Sequence, residues 1–99
     1  MAEIKVTPKE LRNKAQEMAN FNKQFRSEVE KMIGYRTELD SMWDGEARAA
    51  FDKAFDTDKG KWDIFARNID DYVQKMLETA ETYETAEENA IITASTRNS

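Results

Sequence analysis

The side chains best able to do chemistry here are carboxylates, and their spacing decides whether they hold a metal or move a proton. Asp56-Thr57-Asp58-Lys59-Gly60 has the look of a calcium loop. An EF-hand needs glycine at the sixth place and a carboxylate at the twelfth, where this chain has Lys61 and Arg67, so the loop lacks its sharp turn and its closing ligand. Asp70-Asp71 and Glu87-Glu88 are neighbours in sequence. On a charged helix such pairs form a solvated face rather than an acid/base couple. The chain has no His and no Cys. That removes the Glu-x-x-His pairs of di-iron bundles, zinc sites and nucleophilic triads. There is no glycine-rich phosphate loop. We therefore expect no cofactor, no metal site and no enzyme, but a binding protein.

Length and charge narrow the class further. The 99 residues suffice for one domain. Charged residues make up 35% and hydrophobic ones 39%, a balance in which periodicity separates a folded chain from a disordered one. The net charge is −5 and the basic residues are spread evenly, with no stripe to track phosphates. Nucleic acid and anionic membrane surfaces are poor partners. Without cysteines the fold cannot depend on disulfides. Met1 to Lys5 contains no apolar run, so no ordinary signal peptide is expected. No stretch approaches the roughly 20 apolar residues of a membrane-spanning helix.

Two helices organise the rest. Thr7-Pro8-Lys9-Glu10 is a helix start: Thr7 caps, Pro8 fits the first helical position, and Glu10 reaches back to the capping amide. From there apolar residues step by four and three through Leu11, Ala15, Met18, Phe25, Val29, Met32, Leu39 and Trp43, with Asn22 and Arg36 in the two slots that break the pattern. This is a heptad seam, widened by Phe21, Tyr35 and Met42 to the broad face of a multi-helix bundle. After Gly45 the stepping resumes through Phe51, Phe55, Trp62, Phe65, Ile69, Tyr72, Met76, Tyr83, Ala86 and Ala90, with Asp58 and Thr79 as polar exceptions. Asp44 is the expected cap of this second helix, and Glu46 puts negative charge in its first turn. The reading is all-α: helix one over about 8–42, a turn at 43–45, helix two over about 46–90, and frayed tails at 1–6 and 93–99. The short connection makes the helices antiparallel neighbours of similar length in a single domain over 1–99. Gly34 and Gly60 fall at about the same level of the hairpin. They admit two readings, close helix approach or a kink or break around Asp56–Gly60, since glycine weakens a helix by about 1 kcal/mol relative to alanine.

One helix pair cannot shield Phe21, Phe25, Phe51, Phe55, Trp62 and Phe65 together. Burying each such ring is worth roughly 1.5–3 kcal/mol, so a dimer interface over these six is expected. A second hairpin, identical or related, closes a four-helix bundle. Leu77 and Ile91, off the main seam, extend that interface or stand as isolated surface hydrophobes.

A Trp-x-Gly turn, Trp43-Asp44-Gly45, at the middle of about a hundred residues between two heptad runs resembles the WXG-motif superfamily. These are the early-secretory-antigen-like (Esx-type) substrates of type VII (ESX/Ess-like) secretion in Gram-positive bacteria and mycobacteria. The resemblance covers essentially the whole chain. A second family element, a tyrosine followed four residues later by an acid, is matched by Tyr83 and Glu87; Tyr35 and Tyr72 are followed instead by Leu39 and Met76. The resemblance implies a homodimer or a heterodimer with a related protein, in the form of a four-helix bundle. It implies export of the folded dimer to the extracellular space after synthesis in the cytoplasm, without a cleaved signal. It also implies recognition of Tyr83 and Glu87 by a membrane-bound FtsK/SpoIIIE-type ATPase, beside Trp43 and Gly45 of the other subunit. A different role, as targeting partner or chaperone of a larger secreted toxin, stays open. So does a cytosolic coiled-coil adaptor for which Trp43-Asp44-Gly45 is only a turn.

Overall fold

A computed structural model describes residues 6–97, and the backbone alone over 89–97. Helix α1 spans Pro8–Asp40 (33 residues) and helix α2 spans Glu46–Arg97 (52 residues). Among the described residues there is no strand. The two helices form an antiparallel hairpin, 81 Å long and about two helices wide at 22 × 17 Å. At about 1.5 Å per residue α2 alone accounts for roughly 78 Å of that length.

The start of α1 is the expected capping box. The Glu10 amide donates to the Thr7 hydroxyl oxygen at 3.1 Å, and the Thr7 amide donates to the Glu10 carboxylate at 3.4 Å. The end comes two residues earlier than the periodicity suggests. The Ser41 hydroxyl donates to the Glu38 carbonyl at 2.6 Å, and the amides of Ser41 and Met42 bond three residues back. These tight bonds close the last turn as a 3₁₀ turn. The cap of α2 is also displaced by one residue. The Gly45 carbonyl accepts from the Ala49 amide at 3.2 Å, so Gly45 occupies the position expected for Asp44. Its φ of +104° is a conformation that a residue with a Cβ rarely adopts.

α2 overruns its expected end at residue 90 and continues to Arg97. After Gly60 the chain holds no glycine and no proline to stop it. Most of the expected tail at 93–99 is therefore helix, while residues 1–5 and 98–99 lie outside the described residues. The helices are consequently unequal: α1 covers α2 as far as Glu87, which lines a shallow groove with Thr7 and Pro8, and residues 88–97 project beyond.

The seam agrees with the expected one in its first half and drifts in its second. Ala15 is buried, and Leu11, Met18, Phe25 and Val29 are half-buried. Met32 and Leu39, placed on the seam by their spacing, are exposed at 41% and 37% in one hairpin, and Ile33, Arg36 and Asp40 take the inner positions. On α2, Phe65 and Tyr72 point outward, while Ala66 and Val73 turn inward beside Phe55, Ile69 and Ala80. An α-helix drifts by about 20° per heptad against a strict seven-residue repeat, so the next residue inherits the slot after two or three heptads.

Within one hairpin there is neither a close helix approach at the glycines nor a break. α2 is unbroken through Gly60, and a Cβ added at Gly34 or Gly60 meets nothing within 4 Å.

Two polar positions that break the apolar pattern are built into the seam. The Asn22 amide nitrogen donates to the Ala66 carbonyl at 2.9 Å and to Asp70 at 2.8 Å. Asp70 also accepts from Arg26 at 2.7 Å. That bond chiefly, with the one from Asn22, holds the Asp70 carboxyl below its ordinary value. Arg36 lies 4.9 Å over the Phe55 ring and pairs with Asp56. With Arg12–Glu84 at 2.6 Å, these contacts fix the register of the hairpin at three levels.

Candidate functional site

The turn is a compact polar and aromatic assembly. Trp43 is half-buried, its ring centroid 5.5 Å from Phe51, and the aromatic contacts continue to Phe55 at 6.0 Å and Trp62 at 5.4 Å. Arg48 reaches three carboxylates from three segments: Asp40 at the end of α1 (3.1 Å), Asp44 in the turn (3.6 Å) and Asp52 in α2 (3.5 Å). Arg36 approaches Asp52 from α1 at 3.9 Å. Asp44, expected as a cap, serves instead as a ligand of Arg48, its side chain otherwise in solvent.

Tyr83 and Glu87 stand at the other end. Tyr83 is half-buried and Glu87 exposed. The first α1 turns line a shallow groove with Glu84 and Glu87, and Arg12 donates to Glu84, a bond that raises the guanidinium pKa further. From Gly45 to Tyr83 is roughly 57 Å along α2 at about 1.5 Å per residue. One hairpin therefore keeps Trp43 and Gly45 far from Tyr83 and Glu87.

The six rings expected at a dimer interface divide. Phe55 is buried and Phe25, Phe51 and Trp62 are half-buried within the hairpin's own seam. Phe21 and Phe65 are exposed at 54% and 48%, although Phe65 meets Phe25 edge-on at 5.2 Å. Further exposed apolar side chains are Met32, Tyr35, Leu39, Met42, Ile64 and Tyr72. Leu77 is half-buried; the side chains of Ala90 and Ile91 lie outside the described ones. The chain exposes 8016 Å², against roughly 5,800 Å² for a compact monomer of this mass. Among the described residues no cluster of three or more acids could hold a metal ion, and no helix is long and apolar enough to cross a membrane.

The closure of the Arg48 cluster and the partners of the buried Asn22 are not evident in the sequence. Arg36, Asp40, Asp44, Arg48, Asp52 and Asp56 recur every four residues, which is a visible signal, but its closure across the turn is not.

The WXG100 family model, proteins of 100 residues with WXG, matches residues 3–88. The chain belongs to the WXG100 family. An ESAT-6-like protein of Streptococcus agalactiae is 31% identical over 84 residues, 85% of this chain and 88% of that protein. The type VII secretion system extracellular protein A of Staphylococcus aureus is 28% identical over 81 residues, 82% of this chain and 84% of that protein. The crystal structure of EsxB, a secreted protein of Bacillus anthracis, superposes with a TM-score of 0.77 at 24% identity, covering 88% of this chain and 99% of that one. That likeness carries the helical hairpin. Within this WXG100 member the family tripeptide is Trp43-Asp44-Gly45, seated on Phe51 and tied to Arg48.

Proposed function

We propose that this WXG100 protein is a secreted substrate of a type VII system. Residues 1–99 act as one domain, and two copies are exported together as a folded four-helix bundle. The observation that carries this reading is the separation of the two signal elements. Trp43 and Gly45 lie at one end of a rigid hairpin and Tyr83 and Glu87 at the other, roughly 57 Å apart. An antiparallel second copy sets the turn of one chain beside the tail of its mate. Phe21, Phe65 and Tyr72, exposed in one hairpin, give such a copy an apolar surface to cover. The composite end then docks on an FtsK/SpoIIIE-type ATPase, with Tyr83 and Glu87 in direct contact. The work of the molecule is recognition, not catalysis.

The test is the amount of protein in culture supernatant against lysate, wild type beside Tyr83→Ala. Wild type in the supernatant and Tyr83→Ala confined to an intact lysate pool supports export through the tyrosine-acid element. Wild type confined to the lysate turns the reading to a cytosolic adaptor. Equal export of both forms moves the signal to a partner, in which case the hairpin travels as the targeting partner of a larger toxin.

A further inference from the structure

We infer that Arg48 is the positioning residue of the Trp43–Gly45 turn. The inference rests on the reading of that turn as part of an export signal. Arg48 touches Asp40, Asp44 and Asp52 within 3.6 Å, and so spans the last residue of α1, the turn itself and the second turn of α2. Its side chain and those of Asp40 and Asp52 are about 70% covered, where screening by water is weaker than at the open surface.

The cluster is unbalanced. Four carboxylates, Asp40, Asp44, Asp52 and Asp56, face two guanidiniums, Arg48 and Arg36. Asp52 Oδ1 is buried without a hydrogen-bond partner. An arrangement with surplus negative charge is a poor device for global stability. It is an effective local clamp, because removing Arg48 leaves Asp40, Asp52 and Asp56 to Arg36 alone and releases Asp44 from the turn. Their repulsion acts on the segment joining α1 to α2. The residue expected to move is Trp43, half-buried with its ring against Phe51.

Arg48→Gln removes the charge and keeps a good helix former. In a Trp62→Phe background, Trp43 is the sole tryptophan, and acrylamide quenching reads its exposure directly. Arg48→Gln increases the quenching, and adding Asp40→Asn and Asp52→Asn returns it to the parent value. Unchanged quenching in a folded Arg48→Gln protein overturns the inference whatever export does.

In the secretion assay, with Tyr83→Ala alongside, Arg48→Gln lowers export by about tenfold, the loss expected when the competent turn falls to a tenth of the population. Helicity and dimer remain. The triple variant regains export, because the repulsion is gone. A folded, dimeric triple variant that stays in the lysate overturns the positioning role and makes Arg48 a direct contact. Normal export of Arg48→Gln beside retained Tyr83→Ala also overturns it. Export of Tyr83→Ala at the wild-type level defeats the reading of the signal instead, and the quenching result then decides the clamp alone. Should Arg48→Gln lose helicity, Arg48→Lys keeps the charge without the fork, and quenching near the wild-type value is expected; quenching in a folded Arg48→Lys protein as high as in an Arg48→Ala one overturns the clamp.

Discussion

The Asn22 amide nitrogen lies 2.8 Å from an Asp70 carboxylate oxygen, in a seam whose neighbouring positions are Ala15, Met18, Phe25 and Ala66. An apolar seam can slide by a turn at little cost. A buried donor cannot, because a shift leaves it without its acceptors. Asn22→Ala is expected to lower stability by about 1 kcal/mol, a fall of roughly 4–8 °C in melting temperature. Asn22→Leu keeps the melting temperature or raises it, and loosens the register. Thermal circular dichroism checks the first expectation, and cysteine cross-linking between α1 and α2 checks the second.

The same carboxylate sets a pH dependence. Asp70 has its pKa lowered from 3.8, first by the hydrogen bond from Arg26 and then by that from Asn22. A group with a lower pKa when folded binds fewer protons in the native state. Its contribution to stability is therefore complete above pH 3.8 and is lost as the pH falls through the lower folded value. The urea midpoint difference between wild type and Asp70→Asn is expected to be constant from pH 7 to about 5 and to shrink below about 4.

Burial separates the aromatic residues into two classes with opposite behaviour. Phe55, buried and in contact with Arg36, Phe51 and Trp62, serves the hairpin itself. Phe55→Ala is expected to cost about 3–5 kcal/mol and abolish cooperative melting. Phe21 and Tyr72, both more than half exposed, are free of the hairpin's own core and are expected to serve the proposed second copy. Phe21→Ser with Tyr72→Ser leaves the helical spectrum at high concentration and shifts the sedimentation boundary from dimer toward monomer at micromolar protein.

Gly60 and Gly45 are likewise distinct. Gly60→Ala meets no atom within 4 Å and is expected to stabilise by roughly 0.5–1 kcal/mol. A loss of stability or of dimer instead means that the second copy approaches there. Gly45→Ala is strained by a φ of +104° and is expected to destabilise the turn, read as a lower melting temperature.

How much of this was legible depends on the range of each signal. The Thr7–Glu10 capping box is local, and its sequence spacing specifies its hydrogen bonds. The central turn is local too, with an aromatic residue and the single glycine between two periodic runs. Met32, Leu39, Phe65 and Tyr72 belong to the heptad seam but lie outward in one hairpin, because a heptad ruler drifts against a 3.6-residue turn and the offset accumulates along helices this long. Thr93–Arg97 looked like a tail by composition, although nothing after Gly60 breaks the helix. Asn22 and Arg36 looked like interruptions. Their partners, Asp70 and Asp56, lie on the other helix, and pairing across a hairpin needs a register that no local pattern gives.

The most direct measurement of the two-ended signal is complementation between copies in one cell. Trp43→Ala carries an intact tail and a damaged turn; Tyr83→Ala carries the reverse. Each expressed alone is expected to stay in the lysate. Expressed together with different tags they form a mixed dimer with one complete end, and both chains are expected in the supernatant. Retention of both, with the mixed dimer recovered intact from the lysate, would contradict a signal assembled from two copies.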